Sequence, residues 1–133
     1  SNPRRITVYN LWRRCDKDGV DAPFALCDSR TVSEKELIPT DLFNYGKQEE
    51  NTETLADENG FTVEIYQSLN SDDHQWYFYP KMNREEVVMF KTYDSNEKPF
   101  MPTLHSAFDD AVHAREGATP RESIEVRAIC FYD

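Results

Sequence analysis

The 133-residue chain is long enough for one domain and too short for two ordinary ones; its apolar share of 38% is low, although eight Phe, seven Tyr and two Trp supply bulky core material. A net charge of −10, from 25 acidic against 15 basic residues, repels a phosphate backbone and argues against a nucleic-acid partner. No apolar run approaches the ~20 residues that span a bilayer, which argues against a membrane protein, and three scattered cysteines without a CxxC spacing (Cys15, Cys27, Cys130) point to a reducing, cytoplasmic setting.

The start, Ser1-Asn2-Pro3-Arg4-Arg5, has no hydrophobic stretch of the signal-peptide kind and resembles a cut boundary, so upstream sequence is expected. Alternation over Ile6 to Trp12 predicts a strand with Ile6, Val8, Asn10 and Trp12 on one face and Thr7 and Tyr9 on the other. Cys15 to Gly19 is turn chemistry, and Phe24 to Cys27 predicts a short buried strand ending at Asp28. Ser33 with Glu36 matches a capping box, which predicts one or two helical turns before Pro39.

Residues 46–60 are polar, acidic and aperiodic, which predicts an exposed loop. Phe61, Val63 and Ile65 alternate with polar residues; a turn at 70–73 then leads into Trp76-Tyr77-Phe78-Tyr79, and the two runs together suggest a hairpin. The aromatic run reads as sheet core, with a substrate-stacking platform as the alternative. Asn83 with Glu86 gives a second capping signal before Val87 to Phe90, and Lys91 and Tyr93 are expected on one strand face. The last strand, Ile124 to Tyr132, ends wholly apolar, as a strand covered on both faces would. Strands dominate and helices are short, so the expected class is mainly β, a sandwich or jelly roll formed as a single domain over residues 1–133.

His105 precedes Arg121-Glu122-Ser123 by sixteen residues. Two consecutive antiparallel strands joined by the loop holding Gly117 and Pro120 could bring the imidazole and the guanidinium into one cavity. The imidazole would serve a metal, and the guanidinium would clamp a carboxylate beside the Ser123 hydroxyl. A hydrogen-bonded surface histidine and a salt-bridged arginine would leave the same trace. His74 reads as a solvated turn residue, and His113 lies on a polar segment with no second ligand at helical spacing. Asp109 and Asp110 read as loop-solvating carboxylates sooner than as ligands, and the three cysteines as small core hydrophobes.

Six blocks carry a resemblance: Asn10-Leu11-Trp12-Arg13, Pro23 to Arg30, Trp76 to Pro80, Phe90 to Ser95, His105 to Asp110, and Pro120 to Arg127. In this order they are similar to a fungal and bacterial family of non-haem iron oxygenases, which includes cephamycin 7α-hydroxylase-type, gibberellin desaturase-like and AsaB-type hydroxylase/desaturases. The resemblance implies the C-terminal portion of a double-stranded β-helix, Fe(II) and 2-oxoglutarate as cofactors, and hydroxylation or desaturation of a small specialised metabolite. Residue by residue, it implies His105 as the distal iron ligand, Arg121 and Ser123 as the co-substrate clamp, and Asn10 and Arg13 close to the pocket. The family's His-x-Asp pair belongs upstream of Asn10 and does not occur in this chain. The expectation is therefore an oxygenase portion completed by a missing N-terminal half or a second protein chain. The alternative is a truncated, non-catalytic relative acting as a binding or partner subunit.

Overall fold

The computed structural model describes residues 2–16, 22–45, 61–110 and 120–133. Eight strands are found among them: β1 (Arg5–Arg14), β2 (Phe24–Cys27), β3 (Leu37–Tyr45), β4 (Phe61–Ser68), β5 (Trp76–Phe78), β6 (Val88–Asp94), β7 (His105–Ala107) and β8 (Ser123–Tyr132). Among the described residues helical structure is confined to two 3-10 turns, Ser29–Thr31 and Glu34–Glu36. The chain is mainly β, as its alternating runs predict. The expected acidic loop at 46–60 and the segment holding Gly117 lie outside the described residues.

The chain divides into two compact units, Ser33–Ser71 and the remainder. The smaller unit is an antiparallel pair, β3 with β4, running from Leu37↔Ser68 to Tyr45↔Phe61. It opens on the predicted capping box: the Ser33 amide donates to Glu36 Oε2 at 2.8 Å, and one 3-10 turn follows. The expected hairpin between the Phe61 run and the aromatic run does not form. β4 has eight residues and pairs with the nine-residue β3, a ladder the three-residue β5 cannot match. Pro39 stands inside β3, where a two-stranded sheet leaves one side of the strand free of ladder bonds.

In the larger unit two three-stranded antiparallel sheets face each other, in the orders β6-β1-β8 and β5-β2-β7. This is the partial jelly roll the sequence predicts. Trp12 of β1 stacks on Phe24 of β2 with centroids 4.1 Å apart and planes 9° from parallel, so one aromatic pair ties sheet to sheet. Met82 and Phe90 complete the buried cluster, with Phe24, Leu26 and Val88 packed against it.

The β1–β8 ladder is unbroken from Arg5↔Tyr132 to Arg14↔Ser123 and fixes the faces. Directly paired residues share a face, so Ile6, Val8, Asn10 and Trp12 lie on the inner face with Phe131, Ile129, Arg127 and Glu125. The β1–β6 ladder is interrupted. Val8 pairs with Tyr93 and Tyr9 with Lys91, leaving Thr92 as an extra residue, a β-bulge.

The bulge overturns the expectation that Lys91 and Tyr93 share a face, because it shifts side-chain parity by one. Tyr93 joins Val8 on the inner face. Lys91 goes with Asp94 to the outer face, where Lys91 Nζ donates to Asp94 Oδ2 at 2.8 Å. In an unbroken strand residues three apart point to opposite faces and could not make this bond. Arg5 donates to the same carboxylate from β1, Nε to Oδ1 at 3.0 Å, and Thr7, fully buried, shares the face.

Three further expectations are corrected by where strands end and edges fall. β8 is an edge strand among the described residues and is largely exposed, with Phe131 67% accessible, so its apolar end is not covered on both faces. β5 is likewise the edge of its sheet among the described residues, and Trp76, Tyr77, Phe78 and Tyr79 are exposed, not core. Of the cysteines, Cys27 is buried and Cys130 half-buried, but Cys15 is exposed just past the end of β1. The second capping signal is present as a turn: the Asn83 amide donates to Glu86 Oε2 and Asn83 Oδ1 accepts from the Glu85 amide, both at 2.8 Å, without a helix following.

Candidate functional site

His105 opens β7, paired with Leu26 of β2. Its ring lies against Phe90 at 4.8 Å and Phe24 at 5.7 Å between centroids, so the core aromatics hold one side of the imidazole. β7 and β8 are not ladder neighbours, as the sequence suggested they could be; they belong to opposing sheets. What faces the imidazole across the sandwich is Glu125 of β8. Its Oε2 stands 3.7 Å from His105 Nε2, beyond hydrogen-bond length but well within electrostatic reach.

Glu125 is held in place from behind. Asn10 Nδ2 donates to Glu125 Oε1 at 2.7 Å, and Asn10 Oδ1 accepts from Arg127 Nε at 3.3 Å. Asn10 has no exposed surface, and both ends of its amide are used, as a buried amide requires. The result is a connected polar group, Arg127–Asn10–Glu125, pointing at His105 from the inner face of β1 and β8.

Arg121 lies at the other end of this face. Its Nη1 donates to the Ala22 carbonyl at 2.8 Å, and its guanidinium carbon sits 5.1 Å from the centre of the Trp12 ring. Burial pulls its pKa below the ordinary arginine value, opposed by the nearby carboxylate of Asp16. Its Nε is buried without a hydrogen-bond partner. Asp16 is buried too, pairing with Arg14 and accepting from the Glu122 amide at 3.2 Å, which fixes the chain just before β8. Ser123 follows on the same face, opposite Arg14.

Of the residues singled out in the sequence, the structure brings Asn10 and His105 to one cluster through Glu125. It places Arg121 and Ser123 further along the same face. Arg13 is exposed and pairs with Ile124, on the opposite face of β1 from Asn10, so it stands outside the cluster. His74 is half-buried and edge-on to Trp76 at 6.4 Å. His113 lies outside the described residues. Among the described residues no three His, Cys, Asp or Glu side chains converge as a metal site would require.

Sequence reasoning missed Glu125 and Arg127. Their signal is the inverted alternation of β8: Arg121, Ser123, Glu125 and Arg127 are polar, while Ile124 and Val126 between them are apolar. At period two these four polar residues share one face of the strand, the face that Asn10 and Trp12 occupy on β1.

The sequence profile of the family described as an oxidoreductase/YMDC permease-like domain matches residues 2–131. The chain belongs to that family. It is 29% identical over 127 residues to an Fe(II)/2-oxoglutarate-dependent dioxygenase, nvfI, of Aspergillus novofumigatus, covering 96% of this chain and 41% of that protein. It is 28% identical to the hydroxylase/desaturase asaB of Aspergillus flavus, covering 97% and 56%, and 26% identical to the hydroxylase/desaturase CTB9 of Cercospora beticola, covering 97% and 38%. Among solved structures it is similar to the iron and alpha-ketoglutarate-dependent endoperoxidase NvfI, with a TM-score of 0.73 at 27% identity, covering 96% of this chain and 43% of that one. The chain thus spans about half the length, or less, of the relatives it matches. These relatives are fungal iron and 2-oxoglutarate enzymes and hydroxylase/desaturases, the kinship suggested by the six sequence blocks. No helix among the described residues is long and apolar enough to cross a membrane.

Proposed function

We propose that this chain is the C-terminal portion of an Fe(II)- and 2-oxoglutarate-dependent oxygenase acting on a small specialised metabolite. The observation that carries the reading is His105, held against the core aromatics and facing a polar inner sheet face, in a chain whose relatives are iron and 2-oxoglutarate enzymes. The described residues do not by themselves complete an iron site: they offer one imidazole beside one carboxylate. The remaining ligands would come from the rest of the protein or from a second chain.

The roles of this chain's own residues follow from their positions. His105 would supply one metal-binding nitrogen, with Phe24 and Phe90 restricting its ring. Arg121 and Ser123 would hold the co-substrate carboxylate, the fork of the guanidinium suiting a planar anion. Asn10 would keep Glu125 oriented beside the imidazole. When bound, iron with 2-oxoglutarate supplies the oxidising power for attack on a substrate C–H bond, and the protein contributes register and exclusion of water. Two edges support the portion reading. β7 and β8 are the outer strands of their sheets and lie next to each other in sequence, so two further strands could extend both sheets.

An anaerobic titration of Fe(II) with 2-oxoglutarate, on the 133-residue chain and on a chain extended upstream, tests the proposal. The extended chain is expected to develop the charge-transfer absorbance of an iron-bound 2-oxoacid. His105→Ala should abolish that band, and Arg121→Gln should weaken 2-oxoglutarate binding about tenfold or more, the value of one charge-assisted clamp. Failure of the extended chain to bind both would favour the non-catalytic partner subunit.

A further inference from the structure

The inner face of β1 and β8 changes character on either side of Glu125. Toward the start of β8 lie Ser123 and then Arg121. Toward its end the ladder pairs are Asn10↔Arg127, Val8↔Ile129 and Ile6↔Phe131. Each two-residue step along a strand covers ~6.7 Å, so an apolar strip begins about one step beyond Arg127 and continues for another. Ile129 and Phe131 are exposed and Ile6 and Val8 half-buried. Arg127 stands where the strip meets the polar cluster. Its Nε is held by Asn10 Oδ1 at 3.3 Å, and the terminal nitrogens make no hydrogen bond among the described residues, so the outer part of the fork is available. Asn10 cannot swing away, being fully buried and tied to Glu125.

We infer that this end of the face is a substrate subsite for a small apolar molecule carrying a carboxylate. The acid group would sit on Arg127, and the hydrocarbon body on Val8, Ile129, Ile6 and Phe131. The inference deepens the oxygenase reading and rests on it for one point: such a ligand would lie beside His105, on the opposite side of Glu125 from the Arg121 and Ser123 clamp. Two features favour a small ligand over a protein partner. Four side chains offer on the order of 300 Å² of apolar surface, well short of the ~800 Å² each partner contributes to a standard protein interface. A guanidinium pre-oriented by a buried amide at one end of the strip also calls for an anionic group at a fixed position, which a carboxylate satisfies bidentately.

The test is an NMR titration of the isotope-labelled 133-residue chain with octanoate and, separately, with 1-octanol, without iron or 2-oxoglutarate. Octanoate is expected to shift the amides of Val8, Asn10, Arg127 and Ile129. Arg127→Gln should weaken octanoate binding about tenfold and leave 1-octanol within about twofold of the unaltered chain. Arg127→Lys should recover part of the loss, because it keeps the charge without the fork, and it gives the reading if the Gln variant fails to fold. Ile129→Ser should weaken both ligands. Equal binding of the two ligands with no effect of Arg127→Gln, or shifts confined to another face, would overturn the inference. So would a dimer at the titration concentration whose formation masks the strip, which would assign it to a second copy. Because no metal is present, a failed iron titration and a failed octanoate titration remain separate results.

Discussion

Asp94 has no exposed surface, yet it carries a full charge on the outer face of β1 and β6. Hydrogen bonds from the Arg5 guanidinium, then from Lys91, hold its carboxyl well below the usual carboxylate range; desolvation opposes them and the Asn96 amide adds to them. A carboxyl whose folded pKa is depressed contributes stability that is fully present above its unfolded pKa, ~3.9, and is lost as the pH falls toward the folded value. Asp94→Asn should therefore lower the urea midpoint at pH 7, and the gap from the unaltered chain should narrow once the pH drops below about 4. A gap of the same size at pH 7 and pH 3 would show that the charge of Asp94 contributes nothing to folding. Asp28, lowered to about 2 mainly by its hydrogen bonds from Arg30, has an exposed partner and should move the midpoint far less. The inner-face residues were harder to read from sequence than this pair of faces suggests. His105, Arg121 and Asn10 stood out by type and by family resemblance, whereas Glu125 and Arg127 were not singled out. Only the ladder, pairing Arg127 with the fully buried Asn10 and setting Glu125 opposite Trp12, places both on the inner face.

Among the elements, β1 was legible because its alternation is long and runs unbroken along β8. β6 was not, because a bulge leaves no mark in composition: Thr92 is an unremarkable strand residue, and only the pairing with β1 shows that it is supernumerary. The aromatic run was misplaced for a related reason. Its length and hydrophobicity favour a core strand, but β5 pairs with β2 on one side only, and an edge strand exposes what a central strand would bury. Period-two patterns report which residues share a face and say nothing about which strand lies next door. The element-level prediction concerns the contact that joins the two sheets. Trp12→Ala should cost about 3–5 kcal/mol of unfolding free energy, the range for deleting a buried aromatic, since it removes the stack on Phe24 and the surface that carries Arg121. Trp12→Phe keeps a ring in the stack and should cost clearly less. Denaturant unfolding monitored by circular dichroism reads both, and a Trp12→Ala cost under about 1 kcal/mol would mean the sheets are held together elsewhere.

For the molecule as a whole, the question is what completes the two sheets of the larger unit. β8 is ten residues long, is bonded on one side to β1, and has no strand on its other side among the described residues. In such a strand every second backbone amide points away from the ladder and exchanges with solvent while its neighbours are protected. Hydrogen exchange of β8 in the 133-residue chain should therefore alternate, slow and fast, from Ile124 to Phe131. Long, apolar, unpaired edges are rarely left open in native proteins, and the relatives are about twice as long as this chain or longer. A chain extended upstream should add a strand at this edge and convert the alternating pattern to uniform protection, with β7 following in the other sheet. If β8 exchanges identically in the two chains, the additional sequence does not extend this sheet. On the oxygenase reading proposed above, the metal ligands that would accompany His105 would then have to come from a second chain.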